Sequence, residues 1–193
     1  MTPIISARGG LSSQAYGQFA LSLAGGSYES IATVTVGAGG SSSIDFTSIS
    51  SSYKHLQIRY IARSTRAATD TQVNMRFNGA TSGYSAHIVY GDGGGAYASA
   101  YTSQSFINMN DIPAANAGSN IFNAAVVDIL DYGSTSKYKT VRSLIGRDLN
   151  GSGLILLHSG LYQSTSAISS ITIYPAVDNF AQYSSFALYG IKD

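Results

Sequence analysis

The chain has 193 residues, a formal net charge of +1 and no cysteine, and only 11% of its residues are charged. The lack of cysteine excludes a disulfide framework and a zinc–thiolate site, and the small net charge provides no field that would attract nucleic acid or a membrane surface. The hydrophobic fraction of 44% is too high for a disordered protein, so we predict a folded domain with a sizeable core.

The first 27 residues differ in composition from the rest of the chain. They are mostly small, with Gly9-Gly10 and Gly25-Gly26 as flexible points, and the pattern from Ser12 to Leu23 is a poor match to a helix. We expect an extended arm that becomes ordered on binding a neighbouring protein, rather than a strand of the main domain. Residues 1–24 lack a signal-peptide pattern and no run of about 20 apolar residues could insert into a membrane, so we expect cytoplasmic assembly.

From Tyr28 onward the sequence is typical of β-structure almost throughout. Short runs rich in β-branched and aromatic residues alternate with turn signals such as Asn78-Gly79 and Tyr132-Gly133. Residues 112–120 are predicted to form a loop. The predicted strands cover residues 30–36, 43–46, 54–62, 72–77, 85–90, 98–109, 121–130, 137–146, 154–162, 168–174 and 184–189.

Short strands at this fairly regular spacing are typical of an antiparallel sandwich or barrel. The jelly roll suits the length best, because its eight core strands and one or two more fit into about 165 residues. No repeat of about 20 to 50 residues indicates a propeller or solenoid. We therefore predict an all-β protein, with an N-terminal arm over residues 1–27 and a jelly-roll-like antiparallel β-sandwich over residues 28–193.

Residues 150–191 contain a single charged residue, Asp178. Because a solvated domain surface carries roughly a quarter charged residues, this tract is too neutral to be an ordinary exposed surface. We predict that its strands are buried on both faces, in the sandwich core and against identical copies of the chain. Such burial is typical of an assembly protein rather than an enzyme. Asp178 itself is expected in an exposed loop.

Aromatic and polar side chains surround a glycine-rich turn at residues 91–95. Tyrosine rings can stack on the C–H faces of sugars and aspartate can fix sugar hydroxyls, so the pattern indicates a shallow site for a glycan or a protein partner. Tyrosine also fills sandwich cores and oligomer interfaces, which remains the alternative interpretation here. The candidate residues are Tyr84, His87, Tyr90, Asp92, Tyr97 and Tyr101.

Other patterns give little support for chemistry. Residues 54–66 concentrate basic side chains, with Arg59 and Arg63 on one strand face that would meet an acidic partner or simply solvent. Residues 148–153 resemble the start of a calcium loop, but Ser159 stands where a bidentate glutamate is needed, so a hairpin turn is favoured. The three histidines lack metal-ligand spacing, and no nucleophile elbow or phosphate-binding loop occurs. We expect no enzyme activity, no metal and no cofactor.

Both ends of the chain resemble tailed-bacteriophage structural proteins. Residues 5–19 (ISARGGLSSQAYGQF) are similar to the short N-terminal peptides of those proteins, in which an arm of small residues precedes a β-rich module. Residues 184–192 (SSFALYGIK) look like the closing strand of phage appendage or decoration proteins. The resemblance implies a jelly-roll-like module that forms homotrimers on the particle surface. The implied docking residues of the arm are Arg8, Gly9, Gly10, Tyr16, Gly17 and Phe19.

The resemblance implies a non-enzymatic virion structural protein, assembled in the host cytoplasm and located on the virion surface. Its partners would be further copies of itself and other virion proteins, without nucleic acid or membrane insertion. As a tail or baseplate fibre protein, it would contact host surface glycans through the tyrosine-rich turn. As a head decoration or cement protein, the alternative, it would stabilise the capsid without binding a receptor.

Overall fold

The computed structural model describes residues 27–192, and β-strands form all of the regular secondary structure in this part of the chain. Within the same range, no helix has the length and hydropathy needed to cross a membrane. The strands are β1 (Tyr28–Thr35), β2 (Ile44–Phe46), β3 (His55–Ala62), β4 (Asp70–Phe77), β5 (Tyr84–Gly91), β6 (Ala96–Gln104), β7 (Ile107–Pro113), β8 (Asn123–Leu130), β9 (Lys139–Asp148), β10 (Gly153–Tyr162), β11 (Ile171–Pro175) and β12 (Ser185–Ile191).

Eight of these strands have the connections of a jelly roll. They form the order β1-β12-β3-β8 in one sheet and β2-β11-β4-β7 in the other, so that strands from opposite ends of the chain pair with each other. The pairs β1–β12 and β2–β11 are antiparallel, as are the remaining ladders of the two sheets. This is the double Greek key of a jelly-roll sandwich. The predicted fold class is confirmed.

Two inserted hairpins make one sheet twice as wide as the other. The β9–β10 hairpin continues the first sheet from β8, and the β5–β6 hairpin follows it, which gives the order β1-β12-β3-β8-β9-β10-β5-β6. We call this eight-stranded sheet the large sheet and the four-stranded sheet the small sheet. Strand β7, at the edge of the small sheet, contacts β9, β10 and β5 of the large sheet across the sandwich.

The strand predicted over residues 98–109 is wrong in one respect, because it is two strands in different sheets. Ser103 adopts a left-handed φ of 55°, and the chain then bends at residues 105–106 and crosses from β6 in the large sheet to β7 in the small sheet. Asn78 and Gly79 both have positive φ, as a tight turn requires. This turn joins β4 to β5, which also lie in different sheets.

Residues 150–191, whose single charged residue is Asp178, form three strands that are each interior to a sheet. Strand β10 lies between β9 and β5, β11 between β2 and β4, and β12 between β1 and β3. Their inward residues, among them Ile171 and Leu188, are fully buried in the core between the sheets. The predicted burial in the core is confirmed, and Asp178 lies in an exposed bend. Burial against identical copies stays a prediction.

Lys139 is a charged residue buried at the start of β9. Its ammonium donates to the carbonyl oxygens of Ser134 and Lys137 at 2.6 and 2.8 Å, and to those of Ser164 and Thr165 at 3.4 and 3.3 Å. Burial lowers the pKa of Lys139, and these bonds offset the cost of removing its charge from water. The side chain thereby joins the loop before β9 to the loop after β10.

His158 gives a pH test of the packing between the sheets. It lies in β10, is 2% exposed, and neither of its ring nitrogens has a hydrogen-bond partner among the described residues. Burial lowers its pKa from 6.5 to about 4. The unfolded chain therefore binds a proton between these pH values that the folded chain does not, and stability falls as pH drops through this window.

We predict that the free energy of unfolding decreases by about 3 kcal/mol between pH 6.5 and pH 4 because of His158. Chemical denaturation of the His158→Leu variant across this range should show a correspondingly smaller loss than the natural chain. His87→Leu is the matched control, because it removes an exposed imidazole from the outer face of the same sheet. An equal pH dependence in His158→Leu and the natural chain would contradict the burial of a neutral imidazole.

Candidate functional site

The structure separates the six residues that the sequence groups around the glycine-rich turn. Tyr84 is 1% exposed, its ring stacks on Tyr162 at 4.7 Å, and its hydroxyl accepts from the backbone N–H of Phe77 at 2.9 Å. This corrects the prediction, because so deeply buried a ring offers no surface to a ligand. His87 is exposed on the outer face of the large sheet, opposite the tyrosines of the β5–β6 hairpin.

The other four candidates lie together on the inner side and the turn of this hairpin. Tyr90 and Tyr97 are cross-strand partners whose rings stack at 5.0 Å. Asp92 holds the turn, because its Oδ1 accepts from the backbone N–H groups of Gly94 and Gly95 at 2.9 and 3.0 Å. Tyr101 in β6 is half-buried.

A polar cleft of about 310 Å³ lies between this hairpin and β7. Three predicted residues, Tyr90, Asp92 and Tyr101, line it. Sequence reasoning missed its other polar groups, because β7 and β9 bring them from parts of the chain that are distant from the turn. The complete lining is Ile88, Tyr90, Asp92, Tyr101, Asn110, Asp111, Arg147, Gly153 and Leu154.

Arg147, near the end of β9, contributes a hydrogen-bond donor to the cleft. One of its terminal nitrogens, Nη1, lies 2.7 Å from Oδ2 of Asp70, and its side chain is 11% exposed. Its Nε is buried and has no partner among the described residues. Because this nitrogen is closed to solvent, a ligand can meet the guanidinium only at the part of the side chain that stays exposed.

Asp111 and Asn110 of β7 contribute the acceptors. The β4–β7 ladder shifts register between Gln72 and Asn74, and Asn110 has a left-handed φ of 62°. Such bulges redirect side chains and recur beside binding sites. Burial, and next the charge of Asp70, raises the pKa of Asp111. No hydrogen bond from residues 27–192 reaches the Asp111 carboxylate, so this acceptor is available to a ligand.

The basic residues of β3 and its neighbourhood have partners within the fold. Arg63 binds four carbonyl oxygens of the loop at residues 115–121, and Arg76 donates to the Ser105 carbonyl at 3.0 Å. Arg59 lies over the rings of Tyr28 and Tyr189, at 5.4 and 5.7 Å from the ring centroids. These contacts favour a structural role over recognition of an acidic partner.

The sequence that resembles a calcium loop forms the turn of the β9–β10 hairpin, as predicted. Asn150 and Gly151 have positive φ, and the backbone N–H of Leu149 donates to the Ser152 carbonyl at 2.8 Å. Among residues 27–192, no group of three or more His, Cys, Asp or Glu side chains is placed to hold a metal ion. The predicted docking residues of the arm, from Arg8 to Phe19, lie outside the described residues.

A second surface, on the outer side of the large sheet, is apolar. Six exposed side chains from five adjacent strands form it, and we call it the apolar face. Cross-strand pairing makes Val126, Leu144, Leu157 and Val89 neighbours in one row. The parallel row contains Ile61 and Ile155. The apolar face comprises Ile61, Val89, Val126, Leu144, Ile155 and Leu157, and their side chains are 36–60% exposed.

No protein-family model matches the chain, and no curated protein is similar to it in sequence. Among solved structures, the galectin LEC-6 of Caenorhabditis elegans is similar at 8% identity and a TM-score of 0.34, over 83% of this chain and 96% of the galectin. The function has to be inferred from the two surfaces.

The raised pKa of Asp111 predicts a gain in stability on its replacement. In the folded state the Asp111 carboxyl keeps its proton to a higher pH than in the unfolded chain, where it ionises at its ordinary pKa. The free energy of unfolding therefore falls as pH rises from the ordinary pKa of Asp111 through its raised pKa. At pH 7 the ionised carboxylate destabilises the fold. Asp111→Asn should therefore raise the thermal midpoint at pH 7, and the gain should shrink below about pH 4, where both states are protonated.

The control for this prediction is Asp128→Asn. Asp128 accepts from Gln57 at 2.7 Å and pairs with Arg142 at 3.0 Å, so its replacement removes favourable contacts and should not stabilise the protein. Thermal melts of the three proteins at pH 7 and at pH 3.5 make the comparison. A lower midpoint for Asp111→Asn at pH 7 would show that its carboxylate contributes to the fold.

Proposed function

We propose that this chain is a non-enzymatic structural protein of a virion surface, which assembles into a homotrimer through its apolar face. The observation that carries the proposal is the clustering of exposed aliphatic side chains. Among the described residues, the exposed large aliphatic side chains are the six of the apolar face and Val177. Scattered exposed aliphatic residues are normal, but a contiguous group on one sheet face is typical of an interaction surface.

The composition around the apolar face favours another copy of this chain as its occupant. Two cross-strand rows run over seven strands from β12 to β6, and Arg59 is the one charged residue at their positions. The two rows cover an area of roughly 34 Å by 14 Å. This area is more than half of the ~800 Å² that each partner buries in a standard interface. Contacts between identical subunits are depleted of charge in this way.

A polar rim borders the apolar rows. Gln57, Asp128 and Arg142 follow one another across β3, β8 and β9, and hydrogen bonds join them along the outer face. An apolar centre with a polar edge is the usual anatomy of a protein interface. Because one broad face can contact two neighbours around a threefold axis, this geometry is compatible with the trimer that the phage resemblance implies.

Two placements on the virion are open to such a trimer. In a tail or baseplate fibre protein and in a head decoration protein alike, the apolar face would join copies of the chain. The arm would bind the virion in both cases. The fibre role also needs a receptor site, and the polar cleft supports that role over the decoration role.

The first test is the oligomeric state of Leu157→Asp. We expect the natural chain to sediment as a trimer, at about three times its mass of 20.2 kDa. Leu157→Asp should sediment as a folded monomer, because the interface would bury an unpaired charge. Ser159→Asp is the matched control on the same strand and face, two residues away in the polar row, and it should remain trimeric.

Ile171→Asp gives a second contrast, because Ile171 lies in the core and its replacement should prevent folding rather than assembly. A monomeric natural chain at micromolar concentration would overturn the proposal, as would a trimeric Leu157→Asp. A natural dimer that Leu157→Asp separates would retain the apolar face as interface and overturn the threefold arrangement.

The second test is deletion of residues 1–24. We expect the truncated chain to fold and to remain trimeric, because the apolar face lies within the described domain. The truncated chain should no longer bind to virus particles that lack the protein, whereas the full chain should bind to them. If the deletion dissociates the trimer, the arm takes part in the contact between copies and the proposed division of roles is wrong.

A further inference from the structure

We infer that the polar cleft between the β5–β6 hairpin and β7 binds a neutral saccharide. This inference goes beyond the proposed assembly and does not depend on it, because the cleft and the apolar face share no residue. The cleft volume of about 310 Å³ is near the lower end of small-molecule sites. It therefore suits a short saccharide rather than a folded partner.

The polar groups of the cleft match the chemistry of a sugar. The Arg147 guanidinium lines the cleft as a donor group, and the Asp111 carboxylate is an acceptor without a hydrogen-bond partner among the described residues. A hydroxyl group can accept from the first and donate to the second. Adjacent hydroxyls on a saccharide ring present several such groups at once, and Asn110 adds an amide that can serve either way.

Tyrosine rings provide the apolar part of the same site. Tyr90 and Tyr101 line the cleft from neighbouring strands, and the stacking of Tyr90 on Tyr97 restricts its ring. The C–H face of a sugar can cover such a ring while its hydroxyls reach the polar groups. This combination of ring faces and polar groups distinguishes the cleft from a site for an apolar ligand.

The charges of the cleft favour a neutral ligand. Asp70 already neutralises Arg147 at 2.7 Å, while Asp92 and Asp111 remain as carboxylates along the lining. An acidic sugar or a phosphate would therefore meet an excess of negative charge. A ligand that carries hydroxyl groups and no charge avoids this repulsion.

The test is a binding screen followed by titration of variants. The full chain is applied to an immobilised panel of neutral and acidic oligosaccharides, and a bound neutral saccharide is then titrated by calorimetry. We expect neutral saccharides to bind and acidic ones not to bind. Asp111→Asn and Arg147→Lys should each weaken binding about tenfold or more, because one removes the charged acceptor and the other the planar guanidinium that lines the cleft.

His87→Gln is the matched control, because His87 lies on the opposite face of the same hairpin and should bind as the natural chain does. Arg147→Lys retains a cation that can pair with Asp70, and Asp111→Asn should be at least as stable as the natural chain, so neither loss can be ascribed to unfolding. Binding confined to acidic saccharides, no binding by any neutral member, or unchanged binding by both variants would overturn the inference.

Sedimentation of the same variants separates this inference from the proposed assembly. If Asp111→Asn loses the saccharide and remains trimeric, the two functions are independent as described. If the natural chain is monomeric and still binds a neutral saccharide that Asp111→Asn does not bind, the assembly proposal fails and the saccharide site stands.

Discussion

The two sheets of this sandwich differ in width, and both surfaces with functional potential follow from that difference. At about 4.8 Å between strands, eight strands span roughly 38 Å and four span roughly 19 Å. The small sheet can therefore cover only about half of the large one. The inserted strands β9, β10, β5 and β6 extend beyond the jelly-roll core, where β7 and Phe77 at the end of β4 approach them from the small sheet.

The inserted strands present different chemistry on their two faces. Because side chains alternate along a strand, β5 directs Tyr90 to the cleft and Val89 to the outer face. Strand β9 likewise directs Arg147 inward and Leu144 outward. Each insertion thus presents polar and aromatic groups on one side and aliphatic groups on the other, and a one-residue slip of register would exchange the two faces.

Two polar groups of the cleft lack hydrogen-bond partners within the described part of the fold. Asp111 and Arg147 both retain hydrogen-bonding capacity that the described residues do not satisfy. One oxygen of Asp92, in contrast, has a structural role, since Oδ1 accepts from two backbone N–H groups of the turn. Residues that cost stability are more informative about binding than residues that stabilise a turn.

The sequence predicts the fold class well and the cleft only in part, for a physical reason. Alternation within a strand is local, so β3, with its buried Leu56, Ile58 and Tyr60, can be recognised from ten residues. The pairing of β9 with β10 follows from the turn at Asn150-Gly151. The approach of β7 to β9 is a contact across the sandwich, and no local pattern predicts that Asp111 and Arg147 meet there.

Charge alone does not show what surrounds a side chain. Lys139 is a charged residue that begins β9, yet it is buried and four carbonyl oxygens enclose its ammonium. The neutral tract was predicted to lie in the core and against other copies; β11 and β12 confirm the first part, and the second stays a prediction. The exposed part of that tract is the outer side of β10, with Ile155 and Leu157.

The central claim, that the apolar face lies between copies of the chain, can be tested directly because the protein has no cysteine. Ala124→Cys places a single thiol among the apolar rows, and Ala176→Cys places one beyond β11 on the small-sheet side. With a nitroxide on each variant, pulsed electron resonance should show strong short-range coupling between copies at position 124 and much weaker coupling at 176. Weak coupling at 124, or stronger coupling at 176, would contradict the account.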